Sequence, residues 1–345
     1  MNLKPGAEFL YKFATMTNAE AYVEVFHNRL MRPLPDTERT GEYWGSTTRA
    51  DFYPCLREAL CDVQARPIRL LDLGAGSGEM VDHVLKHYPA QVSIVEPNLL
   101  MMNKYMQAVE RHPKLKVQSI LSQPVQNLYA GQSHEEWFKG LPPQDFILAS
   151  HMIYGLTNTR SEGNVNPEAD LLEFLMAMYD KLAVGGTLFV VYAVGENTLL
   201  GEAATHHLRF QGGAVEQNVR KTWAARTDLL EHARAKIWLD ARFPKYDCKI
   251  STRKVESRIY GNDIEDMASY CTLGELTQID GEHFDISKLQ HSIKFIRTCG
   301  EKYNLAPVFG SRRDGMLSAK IPQVMIKMQK CRRLLPKFTQ QTSWY

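Results

Sequence analysis

The chain has 345 residues, 44% of them hydrophobic and 23% charged. That composition describes a globular chain with room for one large core or two smaller ones, and it excludes fibrous, collagen-like and wholly disordered polymers. Its 41 Lys and Arg nearly balance 39 Asp and Glu, leaving a formal charge of +2, so no long-range field draws it onto nucleic acid or an anionic membrane. A small, locally recognised ligand and a monomer are expected.

The opening segment is interrupted by Pro5 and carries Glu8, Lys12, Glu20 and Glu24. It lacks the apolar stretch of an export signal, and no segment reaches the roughly twenty apolar residues of a membrane helix, so a cytoplasmic location is expected. Residues 1–65 read as helical, with a turn-rich stretch from Pro33 to Gly45, and form a cover over one end of a sheet. Tyr43, Trp44, Phe52 and Tyr53 make an aromatic cluster there that either packs or closes over a ligand.

Residues 66–252 alternate short β-branched runs with longer amphipathic segments, the pattern of strand, helix and parallel strand. Strands are predicted at Ile68–Leu73, Val92–Val95, Val117–Leu121, Phe146–Ser150 and Thr187–Val194. Helices are predicted over Ser77–His87, Leu99–Arg111 and Ala169–Leu182, with a turn at Gly185-Gly186. Further on, Thr222–Trp238 reads as a helix, and Asp247–Thr252 with Val324–Met328 as an antiparallel edge pair, Pro322 fitting only at a strand start. Residues 253–345 then hold a helical insertion and the closing strand. The fold class is α/β: a Rossmann-like doubly wound sheet of about seven strands, mostly parallel, with an N-terminal helical cover and a C-terminal helical insertion.

Some features carry less. Lys327, Lys330, Arg332, Arg333 and Lys337 read as a solvated tail, and residues 158–167 as a solvated connection. The six cysteines contain no C-x-x-C pair and read as buried free thiols, and His206-His207 has no third partner at metal spacing, so no metal is expected.

The chemistry starts at Leu70-Leu71-Asp72-Leu73-Gly74-Ala75-Gly76-Ser77-Gly78-Glu79, three glycines where the first strand turns into its helix. Glycine lets backbone approach a ligand closely. A dinucleotide fingerprint needs its last glycine where Glu79 stands, and a carboxylate there repels a pyrophosphate. An adenosine without phosphate fits instead, its ribose hydroxyls bonded by Glu96 at the end of the second strand.

These two motifs resemble those of the class I S-adenosylmethionine-dependent methyltransferases. The resemblance implies S-adenosylmethionine as cofactor, with Gly74, Ala75 and Gly76 under its methionine part, Glu96 and Asn98 at the ribose, Ser122, Gln123 or Gln126 at the adenine, and Ser150 at the end of the fourth strand also in contact. His151 and Tyr154, just beyond that strand, are the candidate catalytic and substrate-binding pair, His151 as base or orienting group. Tyr22-Val23-Glu24-Val25-Phe26, Val95-Glu96-Pro97 with Lys104-Tyr105, and Asp145-Phe146-Ile147 are similar to the histamine N-methyltransferase branch, which implies Tyr22 and Phe26 as substrate contacts. Where that branch has a glutamine, a second tyrosine and a substrate-binding glutamate, this chain has His151, Gly155 and the acid-free Ser46-Thr47-Thr48-Arg49; the branch's carboxyl-terminal asparagine has no counterpart in Ile321–Met325. The expected activity is N-methylation of a small amine. O-methylation of a hydroxyl or carboxylate, with Arg49 or Arg160 supplying positive charge, is the alternative, followed by a catalytically silent binder.

Overall fold

In the computed structural model, residues 5–157, 165–208, 213–273 and 283–333 are described. Residues 158–164 of the predicted connection, Arg160 among them, and Lys337 lie outside them, while Asn166 and Pro167, its last two residues, cap and begin the next helix.

The five parallel strands are β1 (Ile68–Leu73), β2 (Ala90–Val95), β3 (Leu115–Leu121), β4 (Gln144–Ser150) and β5 (Leu182–Ala193). Beyond them come β6 (Tyr246–Gly261), the two-residue β7 (Ala306–Pro307) and β8 (Leu317–Arg332). The strands lie in the order β3-β2-β1-β4-β5-β8-β6, with β7 paired to β8. β8 runs antiparallel between β5 and β6. The architecture is the expected Rossmann-like α/β sheet, mostly parallel with an antiparallel pair.

Side-chain alternation explains why the central strands carry apolar side chains on both faces. Leu71 and Leu73, Ile147 and Ala149, and Leu188 and Val190 point to one face, onto the helix Pro167–Lys181. Leu70, Phe146, Leu148 and Phe189 point to the other, onto the helices Thr48–Cys61 and Leu99–Glu110. Both faces are covered, so every position is worth an apolar side chain.

A third cluster lies over one end. Phe13, Ala21 and Val25 from the amino terminus pack with Met267, Leu289 and Ile296 from the helices Ile264–Cys271 and Ile286–Cys299. The cover and the insertion, separate in the sequence, therefore share one core. Tyr43, Phe52 and Tyr53 are buried, and Phe52 and Tyr53 belong to the core beneath β1 and β4, so they pack as structure.

Some predicted boundaries move. The helix expected over Ser77–His87 is a short α turn, Glu79–His83, followed by a 3₁₀ turn at Leu85–His87. The predicted Thr222–Trp238 helix is split among Gly213–Arg226, a π turn at Thr227–Glu231 and Ala235–Arg242. β5 begins earlier than predicted: Gln144 pairs with Leu182 but Phe146 with Thr187, so the intervening residues bulge out and Gly185 turns with φ +85°. β6 runs past Thr252 to Gly261, so residue 252 lies mid-strand and residues 253–261, expected to open the helical insertion, are strand instead; their charged side chains suit a solvated sheet edge.

Pro322 also departs from its predicted place, lying inside β8. Its carbonyl accepts from Val194 N at 2.8 Å, so its ring nitrogen faces the same side, where β5 has just ended. The missing N–H costs at most the last bond of that ladder.

The basic carboxyl-terminal run is not a frayed tail where it is described. Lys327 and Lys330 belong to β8, and Lys327 pairs with Asp62. Lys330 is only 4% exposed; its ammonium donates to the carbonyls of Asp180 and Leu182, both at 3.0 Å, and sits 4.7 Å from the Tyr246 ring. All six cysteines are free thiols, but only Cys55, Cys248 and Cys271 are buried, and Cys61 is exposed. Among the described residues no helix is long and apolar enough to cross a membrane.

Lys330→Met leaves two buried carbonyls without a donor and should cost about 1–3 kcal/mol of stability. Denaturant melts measure this; an unchanged midpoint would return Lys330 to a solvated role.

Candidate functional site

The site begins where β1 and β2 end. Gly74 and Ala75 both donate backbone N–H to Val95 O, at 2.8 and 3.2 Å, which folds the loop back onto β2. Gly74, Gly76 and Gly78 hold φ values of +63°, +62° and +83°, left-handed geometry that costs glycine little. A Cβ at Gly74 would stand 2.6 Å from the Met152 side chain, whereas one at Gly76 would meet nothing within 4 Å. Gly74 is therefore needed for packing, and Gly76 borders open space.

Glu96 ties this loop to the next helix. One carboxylate oxygen accepts from Gly76 N and the other from Asn98 N, both at 2.8 Å. Burial pushes the carboxyl up to about 7, with the two amides pulling the other way and Glu79 adding to the rise. Each oxygen keeps a lone-pair direction for a further donor. Glu79 stands nearby; burial raises its carboxyl, but His27, Arg49 and Ser77 together bring it below the ordinary range, so it stays ionised.

Asn98 is occupied differently from the expected ribose contact. Its side-chain oxygen caps the following helix, accepting from Leu100 N at 3.0 Å and Met101 N at 3.2 Å, and its amide nitrogen donates to Ala19 O at 3.5 Å. It acts on the site through its backbone N–H to Glu96. Ser122 donates to Pro97 O at 3.4 Å, Gln123 accepts from Asn127, and Gln126 donates to Gly155 O, so these three residues after β3 stay part-buried beside the loop. Ser150 accepts from Arg49 at 3.4 Å.

On the other side of Tyr22 lies a cavity of about 290 Å³. Tyr22, Phe26, His151 and Tyr154, all singled out from sequence, line it together. The rings of Tyr22 and Phe26 stack at 5.4 Å. Burial, then the charges of Glu96 and Glu79, hold the Tyr22 hydroxyl protonated.

His151 follows β4 with φ +55°, unusual for a side chain of this size, and is held there by its N–H to Val191 O at 2.7 Å. Ala193 N donates to the Tyr154 hydroxyl, which leaves the phenol proton for His151 Nδ1, 3.1 Å away. That assigns the remaining ring proton to Nε2. Burial, reinforced by the Arg49 guanidinium, drives the imidazole down to about 3, with Gln323 opposing. A neutral ring of that kind is a poor proton acceptor.

Arg226 and Trp223 also line the cavity, and sequence reasoning missed both. The signal was present: Val215, Val219, Thr222, Trp223 and Arg226 recur at helical spacing, so the arginine belongs to the apolar stripe of its helix.

No protein-family model and no curated protein matches the chain. Among solved structures, the YcgJ protein from Bacillus subtilis is similar over 82% of this chain and 99% of its own, at 12% identity and a TM-score of 0.47. The plantazolicin methyltransferase BpumL, in complex with a pentazolic desmethylPZN analog and SAH, is similar over 94% of this chain and 99% of its own, at 12% identity and a TM-score of 0.41. The precorrin-6y C5,15-methyltransferase from Geobacter metallireducens GS-15 covers 82% of this chain and 89% of its own, at 11% identity and a TM-score of 0.35. Likenesses this distant identify no ligand for this chain.

Two measurements follow from the ionisations. Glu96 titrates near 7 when folded against an ordinary 4.5, so the folded state holds the extra proton between those values. Its contribution to stability is complete below about pH 4.5 and lost as pH rises to 7; in Glu96→Gln that part of the stability–pH slope should vanish from unfolding curves. For His151, nitrogen NMR should show the Nε2–H neutral tautomer from pH 8 down to about 4, the resonance being assigned by its loss in His151→Gln.

Proposed function

We propose that this chain transfers the methyl group of S-adenosylmethionine to a small molecule in the cavity. The supporting observation is the left-handed glycine loop clamped to a buried carboxylate. Glu96 keeps acceptor capacity on both oxygens, which suits the paired hydroxyls of a ribose. Ionised Glu79 beside the same loop opposes a phosphate. The space over Gly76 leaves room for a ligand against bare backbone. A nucleoside without phosphate meets all three conditions.

In this reading Glu96 holds the ribose, Gly74, Ala75 and Gly76 run beneath the methionine part, and Ser122 and Gln123 border the adenine. Gln126 is the third candidate at the adenine, and Ser150, at the end of β4, also contacts the cofactor. When bound, the cofactor supplies an electrophilic methyl on a sulfonium. The chain's own task is to align an acceptor in line with that methyl and to keep water out. Tyr22 and Phe26 form the wall at the junction, and His151 fixes the Tyr154 hydroxyl.

N-methylation of an amine is the reading implied by the branch resemblance. A primary ammonium with a pKa near ~10.4 must be stripped of its proton at neutral pH, which costs roughly 4 kcal/mol. Among the described residues the cavity lining contains no Asp or Glu to hold that ammonium, and His151 is too weak a base to take its proton. A carboxylate or acidic hydroxyl arrives already ionised. We therefore read oxygen ahead of nitrogen as the acceptor.

Calorimetry with S-adenosylmethionine and S-adenosylhomocysteine tests the cofactor assignment. The wild-type chain should bind both, and Gly76→Arg should bind neither, because the new side chain enters the open space from a backbone geometry only glycine takes easily. Equal affinity in a folded Gly76→Arg variant would refute it.

A further inference from the structure

The cavity's least expected feature is a cation. Arg226 ends the helix Gly213–Arg226, where the chain passes into the π turn Thr227–Glu231, and its side chain faces the cavity while only 6% exposed. Among the described residues no carboxylate comes within ion-pair distance and no hydrogen bond engages its guanidinium. Its guanidinium carbon sits 5.1 Å from the centre of the Tyr154 ring. The phenols facing it, Tyr154 and Tyr192, are both kept protonated by burial. Asp228, the acid nearest in sequence, pairs with Arg234, and Glu231 is already taken by Tyr192 at 3.0 Å and by Lys254.

Arginine does not shed its proton inside a protein, so this guanidinium is a standing charge in an apolar chamber. Burying such a charge without a counter-ion is unfavourable, and the same low dielectric makes an anion placed beside it bind strongly. The remaining walls suit an apolar body: Trp223 lies one turn back on the same helix, and Phe26 and Val219 face the same space. Arg49 adds positive charge at the cofactor end, where ionised Glu79 partly balances it. Arg226 has no such balance.

We infer that the substrate is an organic acid, a small apolar molecule whose carboxylate is bound by Arg226. The inference rests on the methyl-transfer reading for its chemistry, but its evidence is the cavity. Arg226 is a binding residue here, and its planar fork matches a carboxylate through two parallel N–H donors.

The test is calorimetry on the full chain saturated with S-adenosylhomocysteine, using 4-phenylbutyrate and decanoate, each beside its primary amide and the amine of equal length. The acids should bind, the amides more weakly, and the amines least. In Arg226→Met the acids should lose roughly ten- to a hundredfold in affinity, while the amides and the cofactor product keep theirs. Arg226→Lys should recover part of the loss. A thermal melt of Arg226→Met separates binding from folding: its midpoint should hold or rise, since an unpaired buried charge has been removed. A lowered midpoint with unchanged acid affinity would make Arg226 structural and overturn the inference. Amines binding in preference to acids, or no acid binding while S-adenosylhomocysteine binds, would overturn it and leave the methyltransferase reading standing. No binding of S-adenosylhomocysteine by the wild-type chain would instead defeat that reading.

Discussion

Glu96 is one carboxylate between two backbone amides, and those two bonds fix the geometry of the whole site. Gly76 N holds one oxygen and Asn98 N the other, so the loop after β1 and the helix after β2 are registered against each other through a single side chain. The glycines make the loop possible, but without the carboxylate nothing would select this shape of it. A short acid would not reach both amides from the end of β2, and a neutral amide would present a donor where an acceptor is required. The raised titration point is the electrostatic cost of keeping this group out of water.

A second constraint acts across the cavity. The chain keeps one cation there with a balancing acid, Arg49 near Glu79, and another, Arg226, over the Tyr154 ring with no carboxylate paired to it among the described residues. His151, pressed by Arg49 and by burial, is correspondingly neutral. The chamber thus carries net positive charge with no side chain ready to accept a proton, a combination suited to ligands that arrive as anions.

Much of this was legible in sequence because it depends on local pattern. β1 was read to the residue, and β2 to β4 to within two residues, because a strand covered on both faces is a bare apolar run. The loop and Glu96 were legible because glycines before a helix and an acid after the next strand have few other uses. What was not legible depends on distant contacts. Lys330 looks like tail charge until Asp180 and Leu182 supply the carbonyls that bury it, and the charged half of β6 looks like the start of the helical insertion until β8 pairs with it. Asn98 was assigned to the ligand because nothing in the sequence says that its side chain is spent on a helix cap. Arg226 sat in plain view on an apolar stripe, but a single charge there reads as a stripe edge until the missing counter-ion is seen.

β8 lies between β5 and β6 yet follows both in the chain. A polypeptide leaving the ribosome therefore presents the apolar flank of β5, Leu188 to Tyr192, with its natural neighbour still unmade. The roof over the cavity waits as well, because Met267, Leu289 and Ile296 must meet Phe13 and Val25, which emerged some 250 residues earlier. Assembly of this chamber is thus a late event in synthesis, and the half-made sheet is the species most in need of shielding by chaperones.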